Sequence, residues 1–152
     1  VADTIRELVI QAIVTRLAII TVAGGYNSDI GEHVQRTKMP PVAVPGCNVW
    51  PQPETSDRKY QKSLNSMQVL IEAVTLYGSS NPSQVSEQIL GDLKKAMLDP
   101  SWLKSLSPNY IESVSPVGGG ADDYPNEEDN TVGTKLMILV KYLETIGDPY
   151  SQ

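Results

Sequence analysis

The sequence predicts an α+β fold: a mixed, mostly antiparallel sheet of four to five strands with two main helices on one face, in the order α-β-β-β-α-β-β. Three observations predict it. Ile5, Leu8, Val9, Ala12, Ile13, Leu17 and Ile20 recur at helical spacing. Residues 64–77 and 132–145 alternate with the period of a strand. Between those strands, Asn81-Pro82 opens a second helical repeat, so hairpins flank a crossover helix.

The elements follow in order. Thr4 and Glu7 form a capping box for the first helix, and Gly24-Gly25 end it, because glycine tolerates the left-handed backbone of a C-cap. Residues 26–31 (Tyr-Asn-Ser-Asp-Ile-Gly) are a turn-rich connector, followed by a short strand around 32–36. Five prolines crowd residues 40–53. A proline lacks the amide that a central strand needs, so a strand at 42–44 is expected at an edge or with its prolines at the ends, with a second short piece around 48–50. Residues 54–62 hold no apolar side chain except Tyr60 and read as an exposed, mobile loop.

In the strand at 64–77, Met67, Val69, Ile71, Ala73, Thr75 and Tyr77 share one face. The second helix has Asn81 as N-cap, Pro82 at its first position, an apolar stripe of Val85, Ile89, Leu93 and Met97, and Lys94-Lys95 where cations suit the helix dipole. Asp99-Pro100 stops it, and Trp102, Leu103 and Leu106 pack as a short helical turn. A strand at 111–117, an acidic loop at 118–130 and the strand at 132–145 complete the chain.

Composition narrows the function. The chain of 152 residues reads as one domain, 1–152, large enough to bury a core. A net charge of −6 disfavours unspecific binding to nucleic acid or anionic membrane. No segment reads as a bilayer span or a cleaved signal. Cys47 is the only cysteine, so no internal disulfide forms and synthesis in a reducing cytoplasm is expected.

Catalytic patterns are missing, and the chain reads as a non-enzyme. His33 is the single histidine and sits in a polar connector; Cys47 has no CxxC partner; Gly118-Gly119-Gly120 lacks the Gly-Lys-Ser/Thr ending of a phosphate loop. Asp122, Asp123, Glu127, Glu128 and Asp129 offer hard oxygen ligands, but not at EF-hand spacing. No cofactor or metal is expected. A small-molecule-binding module around Tyr26, Asp29 and His33 is the alternative from a different class.

The strands carry more apolar side chains than a one-sided sheet needs. Leu70, Val74 and Leu76 lie on the second face of one long strand; Met137, Leu139 and Leu143 lie on that of the other. With two helices to cover the first face, these six are expected to be buried by another subunit, the competing expectation being cover by the chain's own loops.

Several segments together resemble the tail terminator (tail completion, or minor tail) proteins of lambda-type long-tailed bacteriophages. Residues 25–31 resemble a motif after the first helix in such proteins, Met39-Pro40-Pro41-Val42-Ala43-Val44 their short Phe-Pro-Ala-Val-Ala-Val strand, and residues 66–77 and 81–98 their long strand and second helix. The acidic hairpin before Lys135-Leu136-Met137-Ile138-Leu139-Val140-Lys141-Tyr142 resembles their ending. The proline-rich stretch 45–53 and the tail 147–152 depart from the pattern. The resemblance implies a virion protein of the tail or neck, made in the host cytoplasm. It would form a homo-oligomeric ring, typically a hexamer, that caps the tail tube protein, ends its polymerisation and meets the head–tail connector or stopper protein, with DNA passing through the lumen without specific binding. On that reading Asp122, Asp123, Glu127, Glu128 and Asp129 face the lumen or a neighbour, and Arg58, Lys59 and Lys62 form a docking loop. Another neck component, a head–tail adaptor or connector, is the nearest alternative.

Overall fold

A computed structural model of the chain describes residues 2–37, 40–106, 111–122 and 124–152. Helix α1 (Ile5–Leu17) leads through a 3₁₀ turn (Ile30–Glu32) to β1 (Val34–Gln35), β2 (Gly46–Lys59) and β3 (Lys62–Leu76). Helices α2 (Pro82–Met97) and α3 (Pro100–Ser105) then precede β4 (Ile111–Ala121) and β5 (Thr131–Thr145). The sheet order is β1-β2-β3-β5-β4, parallel between β1 and β2 and antiparallel elsewhere. The predicted α+β class, strand number and element order are those of the structure.

The helix starts follow the sequence signals. Thr4 Oγ1 accepts a hydrogen bond from Glu7 N at 3.1 Å and Asn81 Oδ1 one from Ser83 N at 3.0 Å; Asp99, read from sequence only as a helix stop, also caps α3, its Oδ1 accepting from Ser101 N at 2.9 Å. Only half of the first capping box forms, because the Glu7 carboxylate turns outward to grip Arg36 at 2.7 and 2.8 Å. The end of α1 differs from expectation. It stops at Leu17, and Gly24-Gly25 lie in a separate turn beyond it. Ile20 still reaches the core, which is why its spacing extends the helical pattern past the helix.

The segment before β3 brings two corrections. Residues 42–44 form no strand, and the chain bends at 43–45; Val42 stands 75% exposed, so no burial rewards an extended pairing there. Residues 54–62 are not a loop. They carry β2 on to Lys59, paired with β3 as far as Lys59↔Lys62, and only Tyr60-Gln61 turn, Tyr60 taking φ 58°. From Thr55 to Gln61 their side chains face water on both sides of the hairpin tip, so no apolar alternation marks the strand; the pairing comes from β3. Pro51 and Pro53 are accommodated in β2 because they sit at the register break between Pro51 and Glu54, beyond the two residues paired with β1.

The core lies between one sheet face and the helices. Val49, Met67, Val69, Ile71, Leu136, Ile138 and Val140 meet Val9, Ile13, Leu17, Ile89, Leu93 and Met97, all fully buried. Each such side chain contributes roughly 1.5–3 kcal/mol. Trp102 of α3 closes one end beneath Arg16, whose guanidinium lies 5.8 Å from the ring centroid. The tail fastens the other end: Ile5 N donates to Pro149 O at 2.8 Å, and Thr145 N donates to Ser151 O at 2.9 Å.

A buried carboxylate anchors the connector after α1. Asp92, in the middle of α2, is 2% exposed and accepts from Ser28 Oγ at 2.6 Å and from Asn27 N at 3.1 and 3.2 Å. Gly31 passes so close to the end of α1 that a Cβ there would lie 2.4 Å from Leu17 O. The turn-rich segment at 26–31 is thus fixed by specific contacts.

Candidate functional site

The second sheet face carries apolar side chains that the fold covers only in part. Side chains alternate strictly along β3 and β5: Met67, Val69, Ile71, Leu136, Ile138 and Val140 are fully buried, whereas Leu70, Val74, Met137, Leu139 and Leu143 are only half-buried. Leu76 is 55% exposed. Of the six predicted contact residues, the register sets only Leu70 and Met137 directly opposite one another. Leu70 pairs with Met137, and Leu64 with Leu143, while Leu139 pairs with Gln68. All six share one face, and among the described residues no helix covers it.

Trp50 joins this face, a residue that the sequence reading did not single out. It pairs with Leu70, so one row crosses four of the five strands: Trp50, Leu70, Met137, Gly118. The signal was present in the alternation of Cys47 and Val49 against Asn48 and Trp50, but the neighbouring prolines obscured it. Beside Trp50 lies an open cleft of about 690 Å³, lined on the apolar side by Trp50, Leu70, Pro40, Pro51 and Pro53 and on the polar side by Arg6, Asn48 and Glu72. Asn48 is 1% exposed and accepts from Thr37 N at 2.9 Å, which fixes one wall.

Arg6 ties α1 to the cleft's edge. Its guanidinium donates to Gln52 O at 2.8 Å and meets Glu54 Oε2 at 3.0 Å. The same carboxylate oxygen accepts a short hydrogen bond from the Tyr142 hydroxyl. Burial first, and then the adjacent Glu54, push the Tyr142 phenol well above its ordinary range, so it remains a neutral donor.

The acidic residues split into two groups. Asp122 lies back over the sheet, 3.4 Å from Lys135 Nζ, and its backbone N–H donates to Gly133 O. Glu127, Glu128 and Asp129 stand exposed at the tip, where Asn126 and Thr131 exchange backbone hydrogen bonds at 2.9 and 3.0 Å and Asn130 takes φ 58°. Asp123 lies outside the described residues. The expected loop is also shorter than 118–130, because Gly118, Gly119 and Gly120 belong to β4. Among the described residues no three His, Cys, Asp or Glu side chains converge as metal ligands.

Arg58, Lys59 and Lys62 surround the β2–β3 turn at the opposite end of the sheet. Arg58 Nε donates to Tyr60 O at 2.9 Å and Lys62 Nζ to Thr145 Oγ1 at 3.1 Å. They sit on a paired hairpin instead of the predicted loop. Tyr26, Asp29 and His33 each have a different partner: Lys95 Nζ lies 4.6 Å from the Tyr26 ring, Asp29 Oδ1 accepts from Val22 N, and His33 Nδ1 lies 3.1 Å from Pro45 O. Cys47 is buried, and desolvation pushes its thiol up to about 12, a packing residue without thiolate character. No helix among the described residues is long and apolar enough to cross a membrane.

No protein-family model and no curated protein matches the chain. Among solved structures, a chain from "Virion of native gene transfer agent (GTA) particle" is similar, with a TM-score of 0.57 over 88% of this chain and 93% of that one, at 14% identity. At that identity the likeness is one of fold, and it extends over nearly the full length of both chains.

Proposed function

We propose that the chain is a non-enzymatic structural protein of a tailed, phage-like virion. Its role is that of a tail terminator: a homo-oligomeric ring, hexameric in the family it resembles, that caps the tail tube, ends its polymerisation and offers a surface to the head connector. The observation that carries this reading is the fold shared end to end with a chain of a virion particle. The half-buried row of Trp50, Leu70 and Met137 supports it, since it leaves apolar side chains on the second face that a neighbouring subunit could finish burying.

Assembly would work through two distinct patches per subunit, because a ring needs a heterologous contact that closes. The sheet face bearing Leu70, Val74, Leu76, Met137, Leu139 and Leu143 supplies burial. The exposed Glu127, Glu128 and Asp129 face the lumen or a neighbouring protein; acids lining a channel let DNA pass, because DNA adhesion depends on cationic contacts with phosphates. Arg58, Lys59 and Lys62 dock a partner at the other end of the subunit.

Electron microscopy of particles made without the protein tests the role. Overlong tails are expected from a missing terminator. Tails of normal length detached from heads would refute that role in favour of an adaptor or connector. The cleft beside Trp50 favours a small-molecule-binding module as a second reading, its volume being in the range of ligand pockets. Native mass measurement separates the two, since that module would stay monomeric or dimeric even with tail tube protein added.

A further inference from the structure

We propose that neighbouring subunits join edge to edge, with the β4 edge of one copy, at Pro116 and Val117, packing into the Trp50–Pro53 cleft of the next. The inference rests on the ring reading and adds an edge contact to the sheet-face contact proposed there, the two sharing Leu70.

The two surfaces lie at opposite edges of one sheet. The cleft adjoins β2, and β4 is the last strand on the other side, with no strand beyond it among the described residues. Both edges are apolar where they would meet. Val117 is the extra residue at the register shift between Pro116 and Gly118 and stands 52% exposed. Gly118, next to it, carries no side chain, and no heavy atom lies within 4 Å of where a Cβ would stand.

Their height in the sheet matches as well. Gly118 pairs with Met137, Met137 with Leu70, and Leu70 with Trp50, so the protruding segment and the cleft occupy the same row. A rotation about an axis along the strands brings one against the other without axial rise. That is the condition for a closed ring, whereas a rise would generate a filament.

Charge points the same way. Residues 111–130 carry six acids and no Lys or Arg, so the β4 edge with its hairpin is purely acidic and two such edges repel one another. This disfavours a two-fold pairing of identical edges. The contact is packing of side chains, not an extended ladder. Register shifts interrupt both strands, and Pro51, Pro53 and Pro116 lack the amides that a ladder would use.

Cysteine pairing tests the geometry. A chain carrying Pro53→Cys and Val117→Cys is oxidised at concentrations up to about 1 mM, where even weak associations are populated. A covalent ladder is expected from the double variant, and dimers alone from an equimolar mixture of the two single variants. Val117→Arg, at an exposed position that leaves the circular dichroism unchanged, is expected to weaken assembly at least about tenfold by sedimentation. Rings that form without the ladder and tolerate Val117→Arg overturn this interface and leave the ring reading standing. A chain that stays monomeric throughout this range even with tail tube protein added overturns both. Covalent dimers from either single variant by itself overturn the head-to-tail arrangement.

Discussion

Replacing Asp92 with alanine is expected to cost about 3–5 kcal/mol. The carboxylate is 2% exposed, and its two strongest contacts are Ser28 Oγ at 2.6 Å and Asn27 N at 3.1 Å. A hydrogen bond to a charged group contributes about 1.5–3 kcal/mol, and removing the acceptor also leaves buried donors unsatisfied. Ser28→Ala loses a single bond and is expected to cost about 1–2 kcal/mol, and Asp92→Asn falls between, because one acceptor oxygen survives. Urea unfolding followed by Trp50 and Trp102 fluorescence and by circular dichroism gives the values. If Asp92→Ala unfolds within about 1 kcal/mol of the parent, the carboxylate is not the anchor of the connector. Equal losses in Asp92→Ala and Ser28→Ala would assign the whole effect to the serine contact and refute the role of the Asn27 amide.

Three further expectations follow from local geometry. Gly31→Ala places a Cβ against the backbone oxygens of Leu17 and Ile20, 2.4 and 2.8 Å away, and is expected to cost at least about 2 kcal/mol; an unchanged melting temperature would contradict this close approach. Cys47, raised from 9.0 to about 12, exposes about 1,000-fold less thiolate at pH 8 than an unfolded chain, so Ellman's reagent should label it only on opening. The native state holds that proton more tightly, so its stabilisation is complete below pH 9 and declines above it; prompt labelling of native protein would sink the assignment. Glu7 is held below its ordinary value of 4.5 chiefly by the hydrogen bond from Arg36, so its contribution is present above that value and is lost as pH falls through the lowered one. The pair is partly exposed, so Glu7→Gln should remove less than about 1 kcal/mol and flatten the acid limb of urea midpoints taken from pH 3 to 7; an unaltered limb would refute it.

Much of this architecture is determined by sequence alone, wherever a local rule acts without competition. Asn81-Pro82 starts α2 because the side-chain oxygen and the fixed proline φ satisfy a helix start whatever surrounds them. The alternation in β3 and β5 fixes both faces, since a strand's period leaves no other arrangement, and the surplus on the second face was readable in Leu70, Val74 and Met137.

The tertiary structure decided what depends on partners distant along the chain. Residues 54–59 become a strand because β3 lies beside them, although their own side chains show no apolar alternation. Asp92 meets Ser28 from 64 residues away, a contact that helical periodicity cannot reveal because it gives only the face on which a carboxylate sits. The cleft at Trp50 and its alignment with Gly118 exist only once four strands take their register. Sequence thus set which residues line each face; strand order and register, products of long-range pairing, set which of them stand together at the edges where a neighbour would bind.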